Sequence, residues 1–185
     1  KSDIVSQLAK EMGKAGKKVL LLDADIRKST FIQRFQIEGE IKGLSQYLSG
    51  QAAVRDILYT TNYENGDMIF AGPVAPNPSE LLEGKLFAHL VERLSQRYDY
   101  ILIDTPPMAS VIDAAIVGGV CDGAILVIED GMVGYRTAQK VKAQLEKSGS
   151  RVLGAVLNKV EMKKGKYYSY DKYGKYSKYG RYGKY

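Results

Sequence analysis

Three carboxylates at the ends of apolar runs carry the first hint of chemistry in this sequence. Asp23 and Asp25 close LLLDADIR, and Asp104 closes ILIDTPP. An acid ending an apolar run lies at the carboxyl end of a buried strand, where open parallel sheets bind their ligands. A single strand-end Asp can equally cap the next helix or pin a turn. Three in two such contexts, beside a helix opening in Lys1-Ser2, point instead to magnesium-nucleotide chemistry. Lys1-Ser2 reads as the close of a G-x-x-x-x-G-K-S loop, whose amides cradle phosphates while lysine and hydroxyl meet charge and magnesium. As a bare dipeptide it says nothing. Its place one helix ahead of an hhhDxD strand gives it meaning.

The second feature is a run of acceptor hydroxyls. From Tyr167 the sequence reads YYSYDKYGKYSKYGRYGKY, with Tyr167, Tyr170, Tyr173, Tyr176, Tyr179, Tyr182 and Tyr185 at every third position and Tyr168 between. A spacing of three matches neither helix nor strand, so no face gathers these rings into a core. With no aliphatic residue the segment cannot offset the entropy of ordering, so residues 163–185 are expected to form a flexible tail. They hold eight Lys or Arg against Asp171 alone, a charge of +7 out of the chain's +6, leaving the body at −1. The basic balance therefore describes the tail, and a nucleic-acid-binding body is not indicated.

The elements that position these groups follow from periodicity. A helix is predicted over about Asp3–Ala15, then a strand at Val19–Asp23 and a short helix within Gly43–Gly50. A strand follows at Met68–Gly72, Pro73–Pro78 connects rigidly, and helices run from Ser79 to about Arg97. Strands at Tyr100–Asp104, Ala124–Ile128 and Val152–Asn158 alternate with helices near Asp113–Val120 and Tyr135–Lys147. Apolar strands alternating with helices imply right-handed crossovers and a mostly parallel sheet covered on both faces, a three-layer α/β domain over residues 1–162. No strand precedes the first helix, so the 185 residues read as a fragment. The lone Cys121 excludes an internal disulfide and fits a reducing compartment. No apolar run is long enough to span a membrane, and no signal peptide is seen. His89 reads as a helix-surface or core residue, Cys121 as a small hydrophobe, Tyr98 and Tyr100 as partly buried, and Lys10, Lys14, Lys17 and Lys18 as a solvated helix end.

LLLDADIR, AGPVAPNPSELL, ILIDTPPMASVIDAA and VLGAVLNKV, in this order and with a tyrosine-rich C-terminus, resemble the bacterial tyrosine kinases of capsule and exopolysaccharide synthesis. The resemblance covers about Lys1 to Asn158 plus the tail. LLLDADIR is similar to the family's Walker A′ motif, ILIDTPP to its Walker B, and Lys1-Ser2 to the end of its Walker A. Walker motifs alone suit the ATPases of septum placement and plasmid partition equally; Pro76–Leu82 and the tail favour the kinases.

The resemblance implies a P-loop NTPase-like fold whose first strand and glycine-rich loop lie ahead of Lys1. It implies γ-phosphoryl transfer from Mg-ATP to tyrosine hydroxyls, in which positioning and charge neutralisation dominate. Lys1 would hold the β- and γ-phosphates and serve catalysis, and Ser2 would ligate magnesium beside the nucleotide. Asp25 and Asp104 would orient the ion, Asn158 would lie beside the adenine, and Asp23 or Asp25 would accept the tyrosine proton. The acceptors would be Tyr167, Tyr168, Tyr170, Tyr173, Tyr176, Tyr179, Tyr182 and Tyr185.

The implied partners are further copies in a homo-oligomeric ring, a membrane adaptor of the polysaccharide chain-length-regulator type (separate or fused upstream) and a tyrosine phosphatase. The implied place is the cytoplasmic face of the cell membrane, and no specific nucleic acid is expected. Three positions depart from the family's pattern. Asp3 stands where threonine is usual, and its charge would repel an α-phosphate; Ser29 replaces a proline; Glu129-Asp130 occupies a stretch that is often basic. Two other function classes compete: a partition-type ATPase, and a tail whose Tyr, Lys and Arg bind single-stranded nucleic acid or a membrane surface.

Overall fold

The computed structural model describes residues 1–108 and 112–161. In chain order its elements run α1 (Ser2–Lys14), β1 (Val19–Asp23), the short helices α2 (Phe31–Arg34), α3 (Leu44–Leu48) and α4 (Val54–Ile57), then β2 (Leu58–Thr60) and β3 (Gly66–Ile69). They continue with α5 (Pro78–Glu83), α6 (Lys85–Ser95), β4 (Tyr100–Asp104), α7 (Asp113–Gly118), β5 (Ala124–Glu129), α8 (Tyr135–Lys147) and β6 (Val152–Asn158).

The strand β1 is the centre of the molecule, with all five residues buried. It pairs in parallel with β3 on one side and β4 on the other, and β2 adds an antiparallel edge to β3. Side chains alternate across the pleat, so one run of apolar residues feeds two cores. Leu20 and Leu22 face a cluster with Phe87, Leu90 and Leu94 of α6 and Leu82 of α5. Val19 and Leu21 face the opposite cluster, with Val5, Ala9 and Met12 of α1 and Phe31 of α2. The helix residues recur at three- and four-residue spacing, so each helix presents one apolar stripe to the sheet. This four-stranded part has the helix–sheet–helix layering expected from the sequence.

The remaining strands differ in detail. Among the described residues β5 and β6 form a separate parallel pair, leaving unpaired edges on β4 and on β5. Ile125, Leu153 and Leu157 of that pair are exposed, so the expected cover on both faces is not complete there. The short elements α2, α4 and β2 were too brief to give a periodic signal, and β3 begins at Gly66 rather than Met68. The boundary at residue 162 and the tail from 163 lie outside the described residues.

Candidate active site

Parallel register between β1 and β4 sets Asp23 directly beside Asp104. The α1 helix begins immediately next to this strand edge. Its second residue donates from Ser2 Oγ to Asp104 Oδ2 at 2.5 Å. The Lys1 Nζ lies 3.7 Å from Asp104 Oδ1. Lysine, hydroxyl and carboxylate therefore meet at the N-terminal end of a thirteen-residue helix, whose free amides and dipole favour anions. The backbone reinforces the junction, because the Ala24 N–H donates to the Asp104 carbonyl at 2.8 Å.

The two strand-end acids of β1 live in different environments. Asp23 is fully buried. Its Oδ1 accepts the Asp25 N–H at 3.1 Å, and its Oδ2 accepts the Ser29 hydroxyl. Burial pushes its pKa up to about 7, with the charges of Asp104 and Asp25 adding to the rise and the two hydrogen bonds opposing it. Ser29 is thus a donor to the buried carboxylate. Asp25 is only half-buried, and its Oδ1 accepts the Lys28 N–H at 2.9 Å. Its side chain faces the loop after β1 and reaches solvent.

The residues expected to hold magnesium can be tested against this geometry. Magnesium keeps several waters and takes one or two carboxylates. Ser2 and Asp104, already in hydrogen-bond contact, fit such a site. Asp25 is not joined to them by a hydrogen bond or ion pair among the described residues. Asn158 ends β6, where its carbonyl accepts the Asp130 N–H at 2.9 Å, and nothing among the described residues links its side chain to Lys1, Ser2 or Asp104. The tyrosine cluster Tyr167–Tyr185 lies outside the described residues. Asp3 does not stand as a bare negative charge, because its Oδ1 pairs with Arg34 Nη1. His89 is exposed on α6, as a surface residue. Tyr98 is buried and donates to Asp67 at 2.6 Å, whereas Tyr100 is exposed. Cys121 packs against the core, where burial raises its pKa to about 11.

One cluster was not singled out in the sequence. Arg27 reaches Asp113 with both Nε at 2.6 Å and Nη2 at 3.0 Å, and Nη2 also donates to Ser79 Oγ at 2.9 Å. Ser79 in turn donates to Asp113 Oδ1 at 2.7 Å. Asp113 has no solvent exposure, and the Arg27 guanidinium holds its carboxyl below the usual range against the opposing effect of burial. The three residues come from DADIR, PNPSELL and VIDAA. Those segments were legible as motifs, but nothing in the sequence signalled that their charges would pair. The clamp ties the loop carrying Asp25 to the starts of α5 and α7.

Comparison with known proteins now adds to the geometry. Residues 1–148 match the AAA domain family. The tyrosine-protein kinase CpsD of Streptococcus agalactiae is 43% identical over 170 residues, 92% of this chain and 74% of that protein. The kinase domain of the Escherichia coli tyrosine kinase Etk superposes with a TM-score of 0.82 at 35% identity, covering 90% of this chain and 65% of that one. The septum site-determining protein MinD of Pyrococcus horikoshii, solved with Mg-ADP, gives a TM-score of 0.70 at 26% identity, over 83% of this chain and 63% of that one. These neighbours share the P-loop fold.

Two outcomes are expected from this geometry. Arg27→Ala leaves the Asp113 charge buried and unpaired, so it should lower unfolding free energy by about 3 kcal/mol in urea denaturation. Asp23 carries the opposite sign of linkage. Its folded pKa lies above the unfolded value of about 3.9, so its stabilising share is full below that pH and lost as pH rises through about 7. In metal-free protein the stability of Asp23→Asn relative to wild type should therefore rise between pH 5 and pH 8, by about 3 kcal/mol. A difference that stays flat would mean that Asp23 ionises normally.

Proposed function

The chain belongs to the bacterial tyrosine-kinase family and is a protein-tyrosine kinase, and on that premise we propose that it phosphorylates its own C-terminal tyrosines from Mg-ATP. The observation that carries the proposal is the meeting of Lys1, Ser2 and Asp104 at the start of α1, beside the buried Asp23. Lys1 holds the β- and γ-phosphates as a point charge, and the first amides of α1 add partial positive charge. Ser2 and Asp104 would hold magnesium, with Asp25 orienting it through water, and the ion neutralises phosphate charge when bound. The tyrosine Oη forms the new bond to the γ-phosphorus as the bond to the ADP oxygen breaks. The phenolic proton passes to Asp25. That role suits Asp25 because it reaches solvent, whereas both oxygens of Asp23 are already engaged by Ser29 and the Asp25 amide. Asp23 then positions the loop rather than meeting substrate. Asn158 would line the adenine.

The acceptors are Tyr167, Tyr168, Tyr170, Tyr173, Tyr176, Tyr179, Tyr182 and Tyr185. A segment of this length has an r.m.s. span of roughly 25 Å and a maximum of about 60 Å, so its own site and a neighbour's are both within reach. Each phosphate adds about −1.5 to −2 charge, so about four modifications cancel the tail's excess. All eight modifications would make the tail strongly acidic and turn one drawn to acidic surfaces into one that is repelled. The output fits regulation of capsule or exopolysaccharide polymerisation and export. That setting implies a ring of copies, a membrane adaptor, a tyrosine phosphatase and a place at the cytoplasmic face of the membrane. Among the described residues no helix is long and apolar enough to cross a membrane.

Likeness to MinD keeps one competing reading in view, an ATPase whose output is placement rather than transfer. Incubating the intact protein with Mg-ATP and mapping phosphate by mass spectrometry separates the two. Phosphate should appear as a mixture of forms across Tyr167–Tyr185, and Lys1→Met should lower it by at least about a hundredfold while leaving the fold intact. ATP turnover with an unmodified tail would favour the placement ATPase.

A further inference from the structure

Asp3 and the cleft beside it have no part in the mechanism above. The cleft measures about 290 Å³ and lies between the first turns of α1 and the short helix α2, with Ser2 and Asp3 on one wall and Arg34 and Phe35 on the other. Ser2 belongs both to this cleft and to the Asp104 cluster, so a group seated here lies beside the magnesium and phosphate site. Phe35 is half-buried and held in place by its neighbours. It stacks on Phe31 with centroids 5.7 Å apart and meets Phe70 edge-on at 6.4 Å. That is a fixed aromatic wall, suited to a second ring.

The rim of the cleft carries charge. The Asp3 side chain pairs with Arg34 and is 75% exposed, so its carboxylate stays open to a second cation from solvent.

The tail supplies a matching pattern. Six of its eight tyrosines, Tyr167, Tyr173, Tyr176, Tyr179, Tyr182 and Tyr185, directly follow a Lys or an Arg. The base that precedes a seated tyrosine is attached only about 3.8 Å along the backbone, and a Lys or Arg side chain is long enough to reach the rim from there.

We propose that this cleft seats the acceptor tyrosine against Phe35, and that Asp3 reads the Lys or Arg immediately preceding it. The inference rests on the kinase reading and adds a substrate preference, for Lys-Tyr and Arg-Tyr sequences in this tail and in other proteins. Arg34 pairs with Asp3 while the cleft is empty, and the substrate's own cation shares the exposed carboxylate when the ring is in place. An acid in the first turn of α1 also suits the helix dipole, but that role is blind to the sequence of the substrate.

The test therefore compares two peptides. One is the chain's own segment 174–185, GKYSKYGRYGKY, and the other has each Lys and Arg replaced by Gln. The intact protein at saturating Mg-ATP should phosphorylate the basic peptide with a kcat/KM about tenfold higher. Asp3→Asn should bring that ratio close to one, and Asp3→Lys should invert it. Any effect of either substitution on ATP affinity cancels in the ratio. A tenfold ratio that persists in both variants overturns the inference while leaving the kinase reading in place. Two peptides phosphorylated equally by wild type do the same. Phosphate on neither peptide while the protein's own tail is modified overturns the inference alone, and an unmodified tail as well overturns the reading that the tail is the acceptor.

Discussion

Parallel pairing of β1 with β4 is the constraint on which the site depends. It fixes Asp23 beside Asp104 at one sheet edge, where two like charges repel unless each finds its own compensation. The two solutions differ. Asp23 is taken out of water and bonded to Ser29 and a backbone amide, which leaves it easily protonated near neutral pH. Asp104 turns to Lys1 and Ser2 at the start of α1. One carboxylate thus organises the loop and the other organises the phosphate end of a helix. Moving β4 by a single residue would turn Asp104 to the face of the sheet opposite Asp23 and dismantle the arrangement.

The loop between β1 and α2 needs a second anchor, because Asp25 must stay placed while remaining open to substrate. Arg27 provides it through the buried Asp113 and Ser79. A bidentate guanidinium–carboxylate pair fixes orientation as well as distance. Its contribution lies less in net stability, which burial of the two charges erodes, than in selecting one loop geometry. The same loop runs on into α2, whose Arg34 meets Asp3. Both ends of the segment after β1 are therefore tied by arginine to acids on other elements.

Much of this was legible in the sequence. LLLD and ILID announce buried strands ending in acids, and parallel strands bring such ends to one edge. The stripes of α1 and α6 follow directly from their apolar spacing. What could not be read is pairwise. No local pattern tells that Ser29 would bond Asp23, that Arg27 would find Asp113 eighty-six residues away, or that Arg34 would offset Asp3. Those contacts depend on how loops close in three dimensions. Short elements such as β2 escape for a different reason. Three residues, Leu58–Thr60, give no periodicity and take their conformation from pairing with β3. The separation of β5 and β6 from the larger sheet likewise lies in pairing, since their apolar runs look like those of β1 and β4.

Lysine, hydroxyl and paired carboxylates would serve hydrolysis as readily as transfer, so the acceptor decides the chemistry. The most direct measurement quantifies ADP and tail phosphotyrosine in the same reaction of the intact protein with Mg-ATP. If the site transfers phosphate to tyrosine, the two amounts should rise together in a ratio near one until the tail is filled, and ADP formation should then fall. ADP that accumulates steadily, with no phosphotyrosine to match it, would contradict the assignment.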